Sequence, residues 1–164
     1  MGGVVSAFCL THLPDPAGAI AEMGRVTAPG GPVVIGSFAP GPQHPVKAAV
    51  EQAAAAHGWT PPPWYRRMKE ETEPLVQDER FLRESATRAG FADVRVFDVD
   101  VDTGVADVDD LTGWRLGMPH YSAFTSELAP AAREALVADV TRAVAANVGP
   151  LCVRLRITTG VVRA

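Results

Sequence analysis

The sequence predicts an α/β fold organised around parallel strands, and three observations lead to this prediction. Residues Val4–Leu10 form a short apolar run without polar alternation, which is typical of a strand covered on both faces of a sheet. A helical pattern follows it, and after a tight turn a second apolar run covers Val33–Ser37. A strand, a helix and a strand in this order form a βαβ unit, whose two strands lie parallel.

The composition is that of one ordinary soluble domain with a small-molecule partner. The chain has 164 residues, of which 47% are hydrophobic and 21% charged, and its formal net charge is −4. It therefore lacks the basic excess expected of a nucleic-acid binder. No run approaches the roughly 18 apolar residues of a membrane span, and no Lys or Arg precedes the apolar start as in a signal peptide. We expect Cys9 and Cys152 to be buried free thiols, which suits a cytoplasmic location.

The first helix has sequence signals at both of its ends. Asp15 can cap free backbone N–H groups, and Pro16 suits the first helical position. Ile20 and Met23 then follow at helical spacing. The helix ends at "APGG", where Gly30 can supply the positive φ of a tight turn.

The later part of the chain predicts further elements and two excursions. A helix over 78–90 begins at Asp78 and ends at Gly90, and a strand with a bulge between Val96 and Phe97 follows it. The last strand alternates apolar and polar residues, which indicates an antiparallel strand near an edge. The excursions cover 39–77 and 103–128.

The residues predicted to face inward on the helices are Phe81, Leu82, Ser85 and Ala89, then Leu111, Trp114 and Met118, then Ala132, Leu136, Val140 and Val144.

The motifs "THLPD", "EMGRV" and "APGG" resemble the fourth-strand to fifth-strand unit of class I S-adenosylmethionine-dependent methyltransferases. "RESATRAGFADVRV" is similar to the next helix and sixth strand of that family. The family's sheet order is 3-2-1-4-5-7-6. The resemblance thus implies an incomplete Rossmann-like sheet of strands equivalent to 4, 5, 7 and 6, with the last strand antiparallel and helices on both faces.

The resemblance covers only the C-terminal part of the family's fold. No G-x-G-x-x-G follows a strand, so the N-terminal cofactor-binding half is expected to be missing and the chain to be a truncated single domain, 1–164. The implied function is methyl transfer from S-adenosyl-L-methionine to a small-molecule acceptor, with the isolated chain weakly active or inactive. The first strand would also be an exposed hydrophobic edge through which the chain could self-associate.

The resemblance also implies roles for residues near the end of the first strand. Ala7, Phe8 and Cys9 would contact the cofactor, although packing in the core is an alternative for their side chains. His12 would act as a general base toward the acceptor, or it would only hydrogen-bond the loop that leads to Asp15.

The excursions carry aromatic residues that could cover an apolar acceptor or could pack the excursions onto the domain. These substrate-side candidates are Trp59, Trp64, Tyr65, Trp114, His120 and Tyr121. "DVDVDTG" departs from a calcium loop in the place of its Gly and in having Asp109 at position twelve, so no metal site is predicted. The carboxylates of this stretch are expected to line the solvent face of an edge strand.

Two other functions compete with methyl transfer. One is a non-catalytic α/β module that associates through its open strand edge. The other is a nicotinamide-dependent reductase, which requires the Gly-rich fingerprint that the sequence lacks.

Overall fold

Residues 1–42, 44–105, 107–147, 149 and 151–163 are described by the computed structural model. The strands are β1 (Val4–Ala7), β2 (Pro32–Phe38), β3 (Phe91–Asp102) and β4 (Cys152–Val162). The α-helices are α1 (Pro16–Val26), α2 (Pro45–Ala56), α3 (Pro63–Arg67), α4 (Glu73–Gln77), α5 (Glu79–Arg88), α6 (Val108–Leu116), α7 (Pro119–Glu127) and α8 (Pro130–Ala145). A 3₁₀ turn covers Leu10–His12, and a π-helical turn covers Met68–Thr72.

The four strands form one mixed sheet in the order β1-β2-β4-β3. β1 pairs parallel with β2, from Val4 opposite Val33 to Ala7 opposite Gly36. β2 pairs antiparallel with β4, whose Leu155 lies opposite Phe38. This order confirms the predicted 4-5-7-6 arrangement with an antiparallel last strand. β1 lies at one edge of the sheet, and β4 lies one strand in from the other edge.

The chain divides into two compact units. Unit 1 comprises 1–41, 66–101 and 153–164, and unit 2 comprises 42–65 and 102–152. Unit 1 contains the sheet with α1, α4 and α5. Unit 2 contains α2, α6, α7 and α8, and it gathers most of both predicted excursions together with the long helix α8. Among the described residues, every helix falls short of the length and apolar character that a membrane crossing requires.

The helices of unit 1 pack on one face of the sheet. Val33 and Ile35 point to this face and are almost fully buried. They share a core with Leu10, Ile20, Val76, Leu82, Ala86 and Phe91, which come from the 3₁₀ turn, α1, α4, α5 and the start of β3. Ser37, also on this face, donates a hydrogen bond to the Val76 carbonyl of α4. Unit 1 therefore has a single helical layer, and the expected layer on the second face is not formed by its described helices.

The second face of the sheet is apolar and exposed. Val5 alternates with the inward residues of β1 and is 76% exposed. Phe38 and Val161 lie on the same second face of β2 and β4 and are exposed as well. Phe97 and Val99 flank Asp98 on β3 and are exposed. Because these side chains are apolar, this face is suited to contact another apolar surface.

The signals predicted for α1 and its turn are confirmed. The Asp15 carboxylate accepts a hydrogen bond from the backbone N–H of Gly18, and Pro16 begins the helix. Gly30 has φ of 76°. Gly24 allows α1 to approach α5 closely, because a Cβ there would lie 2.6 Å from the carbonyl oxygen of Ala89.

The start and end of α5 are also as predicted. The Asp78 carboxylate accepts a hydrogen bond from the backbone N–H of Arg80. The helix ends before Gly90, which has φ of 87°. Leu82 and Ser85 are buried on its inner face.

Two helices of unit 2 differ from the prediction. On α8, Leu136, Val140 and Val144 are buried as predicted, but Ala132 is exposed in the first turn. On α6, Trp114 is 49% exposed and Arg115 is buried. The inner face of α6 follows the spacing from Leu111 to Arg115, four residues apart, which turns Trp114 outward.

The predicted burial of the two cysteines is wrong, because both Cys9 and Cys152 are exposed. β1 ends at Ala7 instead of the predicted Leu10, so Cys9 lies in the turn beyond the sheet. Cys152 begins β4 outside the stretch of β4 that pairs with β2. The predicted bulge between Val96 and Phe97 stays a prediction.

Candidate functional site

The backbone turns sharply at the carboxyl end of β1. Ala7 is the last residue paired with β2, and the backbone N–H of Phe8 still donates to the Gly36 carbonyl at 2.8 Å. Phe8 then has φ of 54°, a conformation that an aromatic residue rarely adopts and that costs on the order of 1–3 kcal/mol. The turn directs Cys9 and the following residues away from the sheet edge.

The Phe8 side chain forms an exposed aromatic pair with β2. Its ring centroid lies 4.8 Å from that of Phe38, and both rings are partly open to solvent. This contact and the hydrogen bond to Gly36 hold Phe8 in its strained conformation. The two rings present an apolar surface at the ends of β1 and β2.

His12 lies at the end of the 3₁₀ turn and is exposed. Its backbone N–H donates to the Cys9 carbonyl at 3.0 Å. The Asp15 carboxylate is used by the N-terminus of α1. Within the described ranges the imidazole makes no hydrogen bond to the loop, so the structural role considered for its side chain is not seen.

The structure brings four of the six aromatic candidates together inside unit 2. Trp59, Tyr65, His120 and Tyr121 are all buried. The Tyr65 and His120 rings are stacked with centroids 4.0 Å apart, and those of Trp59 and Tyr121 lie 4.6 Å apart. The Trp59 indole N–H donates to the His120 carbonyl at 2.9 Å. These contacts make the four rings part of the unit 2 core.

The other two aromatic candidates are about half exposed. Trp64 is 47% exposed and meets the Tyr65 ring edge-on. Trp114 lies beside Arg115, whose guanidinium carbon is 5.6 Å from the centroid of the indole. The exposed surface of these two indoles is available to a ligand.

Arg115 is a buried residue that the sequence analysis did not select. It is only 5% exposed, and its Nε and Nη2 atoms have no hydrogen-bond partner among the residues that the structure describes. No carboxylate of the described residues forms an ion pair with it. The signal that could have identified it is a charged residue four positions after Leu111, on the buried face of a helix.

Two hydroxyl groups near Arg115 are also buried, and neither makes a hydrogen bond of good geometry to another of the described residues. Thr112 lies one turn earlier on the same face of α6, and Tyr121 has its ring centroid 5.9 Å from the Arg115 guanidinium carbon. Burial raises the pKa of the Tyr121 hydroxyl to about 12. The charge of Arg115 and a weak hydrogen-bond interaction with its side chain oppose this rise, and the charge of Glu51 adds to it. The region therefore combines one cation with two neutral hydroxyls.

The two arginines of β4 contrast with Arg115, since each binds a carboxylate of β3. Nε and Nη2 of Arg156 donate to the two oxygens of Asp98, and those of Arg154 donate to the two oxygens of Asp100. These hydrogen bonds hold the pKa of both carboxyl groups below its ordinary value. Asp98 and Asp100 are exposed on the edge strand β3, as expected, and they also join β3 to β4.

Within the described parts of the chain, no three His, Cys, Asp or Glu side chains come together as metal ligands. The residues that could contact an organic cofactor are those at the carboxyl end of β1. They offer exposed apolar rings and a backbone that leaves the sheet.

The comparisons with known proteins found similarity only among solved structures. No family model and no curated protein matches the chain. The similar structures include phosphoethanolamine N-methyltransferase 2 of Haemonchus contortus in complex with S-adenosyl-L-methionine, at 15% identity and a TM-score of 0.47. They also include a Bacillus halodurans protein whose name assigns it to the methyltransferases, at 11% and 0.47, and the YcgJ protein of Bacillus subtilis, at 12% and 0.48.

In each of these comparisons the whole of this chain is covered. It spans 34% of the Haemonchus protein, 65% of the Bacillus halodurans protein and 64% of YcgJ. At these identities the similarity assigns no substrate and no activity to the chain.

Proposed function

We propose that this chain takes part in S-adenosylmethionine-dependent methyl transfer to a small-molecule acceptor, as a member of the class I methyltransferases. The observation that carries the proposal is the sheet order β1-β2-β4-β3 with an antiparallel β4. The motifs of residues 4–38 and the stretch "RESATRAGFADVRV" imply the same order from the sequence alone. The non-local arrangement of the strands and the local motifs thus support the same family.

The proposed cofactor position is the carboxyl end of β1. In open α/β sheets, ligands bind beyond the carboxyl ends of the strands. Ala7, Phe8 and Cys9 lie at this end of β1, and the exposed Phe8 and Phe38 rings offer a surface on which an adenine can stack. S-adenosylmethionine supplies the methyl group from its sulfonium.

His12 is the proposed general base. Its imidazole is exposed, makes no hydrogen bond within the described residues and lies on the turn that leaves β1. Histidine side chains can accept a proton near neutral pH, as methyl transfer to a hydroxyl or amine can require. Alignment of the acceptor and exclusion of water would supply much of the remaining rate enhancement.

The acceptor is proposed to contact the aromatic residues of unit 2. Trp64 and Trp114 offer exposed indole surface. The buried rings of Trp59, Tyr65, His120 and Tyr121 support them from the core.

Isothermal titration calorimetry with S-adenosylhomocysteine tests the cofactor proposal. We expect only weak binding to the wild-type chain, because the carboxyl end of β1 offers only part of the contacts expected of the family's cofactor site. We expect Phe8→Ala to weaken it about tenfold further, since stacking on an aromatic ring is worth about 1–3 kcal/mol. Phe97→Ala is the matched control, because it removes another exposed phenyl ring of unit 1 from the distant strand β3. Absence of heat from the wild-type chain at millimolar ligand, or equal weakening by both variants, would contradict the proposal.

A second candidate function is association through β1 without catalysis. It is favoured by one observation: within the described residues β1 pairs on one side only, and its Val5 is 76% exposed. Sedimentation velocity over a range of concentrations tests it. A dimer abolished by Val5→Lys but retained in Val137→Lys, which alters an exposed valine of α8, would support association. A wild-type chain that stays monomeric would exclude it.

A further inference from the structure

We propose that Arg115 binds a carboxylate group of the methyl acceptor, and that the acceptor is an aromatic or similarly apolar carboxylic acid. The inference rests on the proposed function, which supplies the idea of an acceptor. It names the chemical class of that acceptor from side chains of unit 2 alone.

One side of the Arg115 guanidinium, the edge formed by its Nε and Nη2 atoms, is unsatisfied. Nε and Nη2 of Arg115 are enclosed by protein and, within the described ranges, have no hydrogen-bond partner. A guanidinium is charged at all relevant pH values, and a buried charge normally has a counter-ion or a full set of hydrogen bonds. A region that keeps such a group without either indicates that a ligand supplies the missing partner.

The second step is what this edge binds elsewhere in the same chain. Arg154 and Arg156 use the same two atoms, Nε and Nη2, to donate to both oxygens of one carboxylate, at distances from 2.8 to 3.0 Å. This side-on geometry matches the spacing of carboxylate oxygens. The unsatisfied edge of Arg115 therefore fits a carboxylate.

The third step concerns the surroundings of that edge. The guanidinium carbon lies within 6 Å of the ring centroids of both Trp114 and Tyr121, so both rings lie against the guanidinium, while Nε and Nη2 have no hydrogen-bond partner of good geometry among the described residues. The walls next to the edge are aromatic, and an acid with an aromatic or apolar body would pack against them.

The same surroundings favour a carboxylate over a phosphate. Arg115 is a single cation, and the half-buried Glu51 carboxylate is close enough to Tyr121 to raise the pKa of its hydroxyl. A doubly charged phosphate would be repelled by Glu51 and only half neutralised by Arg115. The neutral hydroxyls of Thr112 and Tyr121 can donate further hydrogen bonds to an anion.

Access to the edge depends on Trp114. Its indole is half exposed and lies against Arg115, on the outer side of α6. The proposal therefore requires a change of the Trp114 rotamer to admit the acid, a change that leaves the helix intact. An acid that enters in this way would contact the Trp114 indole before it reaches the Arg115 guanidinium.

A nuclear magnetic resonance titration of the ¹⁵N-labelled chain with benzoate tests the inference. The arginine Nε–H signals are followed, and that of Arg115 is assigned by its loss in Arg115→Met. We expect benzoate to shift this signal saturably, and we expect benzamide, its neutral counterpart, and inorganic phosphate to leave it unchanged. The affinity for benzoate is expected to fall about tenfold or more in Arg115→Met.

The matched control is Arg154→Met, which removes another arginine and is expected to leave benzoate binding unchanged. An equal response to benzoate and benzamide, a response to phosphate alone, or benzoate affinity unchanged in Arg115→Met would overturn the inference. If Arg115→Met does not fold, the Arg115 signal is assigned by its loss in Arg115→Lys, which keeps the positive charge, and the benzoate and benzamide pair on the wild-type chain then decides.

Failure of this inference can be distinguished from failure of the proposed function. Binding of S-adenosylhomocysteine with no response to benzoate would overturn the carboxylate site and leave methyl transfer standing. A benzoate response without S-adenosylhomocysteine binding would support the anion site and overturn methyl transfer as its use.

Discussion

Arg156 of unit 1, whose side chain is 13% exposed, and Arg115 of unit 2, which is 5% exposed, differ in how their donor groups are bound. Arg156 in unit 1 has its Nε and Nη2 on Asp98 and its Nη1 on the carbonyl oxygen of Gln77. Arg115 in unit 2 is the more enclosed of the two, yet its Nε and Nη2 have no partner. The first arginine joins strands and a helix of unit 1, while the second is left ready for an external anion.

The burial of a charged side chain does not by itself show whether the charge stabilises the fold or binds a ligand. A buried ion pair with complete hydrogen bonds is held in place by its partners, and removing either member is costly. A buried cation without such partners weakens the folded state, so we infer that it is kept for binding. The following predictions test this contrast between the two arginines.

The largest effect is expected for Arg156→Met. The change leaves the Asp98 carboxylate and the Gln77 carbonyl without their donor, and hydrogen bonds to charged groups contribute about 1.5–3 kcal/mol each. We expect the free energy of unfolding to fall by about 2 kcal/mol, measured by urea denaturation. A loss no larger than that of an exposed arginine variant such as Arg142→Met would contradict the structural role of Arg156.

Arg115→Met is expected to change stability in the opposite direction. Methionine fills similar volume, keeps the apolar contacts with Trp114 and Tyr121 and removes an unpaired buried charge. Because the charge has no internal partner, we expect unfolding to become harder by about 1 kcal/mol. A destabilisation as large as that of Arg156→Met, in the same denaturation experiment, would show that Arg115 has a structural partner.

The third prediction concerns Tyr121 at alkaline pH. Burial raises the pKa of its hydroxyl from 10.0 to about 12, so between these values the folded state keeps a proton that the unfolded state has lost. The free energy by which the neutral Tyr121 hydroxyl favours the folded state is fully present below pH 10. It is lost as the pH rises through about 12. We expect Tyr121→Phe to reduce the fall in stability over this window, measured by denaturation at a series of pH values.

A wild-type stability profile that Tyr121→Phe leaves unchanged would contradict this prediction. It would mean that the hydroxyl reaches solvent. The free polar groups near Arg115 would then need no ligand.

The smallest effect is expected for Asp100→Asn. Asp100 and Arg154 make the same bidentate contact as Asp98 and Arg156, but both side chains are more than half exposed. Exposed pairs contribute little because water screens them. We expect the thermal midpoint to stay unchanged, and a shift comparable to that of Asp98→Asn would show that geometry matters more than burial in these pairs.

Local signals allowed much of the fold to be predicted. Asp15 and Asp78 each cap the helix that follows them, because a carboxylate next to free backbone N–H groups acts within a few residues. The parallel pair β1 and β2 followed from the pattern of the βαβ unit. The position of β4 between β2 and β3 is non-local, and it was predicted only from the resemblance to a family.

The features that could not be predicted depend on contacts between distant residues. The pairing of Arg156 with Asp98 joins positions 58 apart, and it depends on how β4 is placed beside β3. On α6, the spacing of Leu111 with either Trp114 or Arg115 is compatible with one face, and a charged residue is usually exposed. The positive φ of Phe8 has no local signature, since it is imposed by the contacts with Gly36 and Phe38.

The central claim is that the carboxyl end of β1 holds the adenosyl cofactor. Backbone amide spectra of the ¹⁵N-labelled chain with S-adenosylhomocysteine test it most directly, because they show where the ligand lies. We expect the amide shifts to be concentrated in residues 7–12 and to saturate as the ligand concentration rises. Shifts confined to unit 2, or no shifts at all at millimolar ligand, would contradict it.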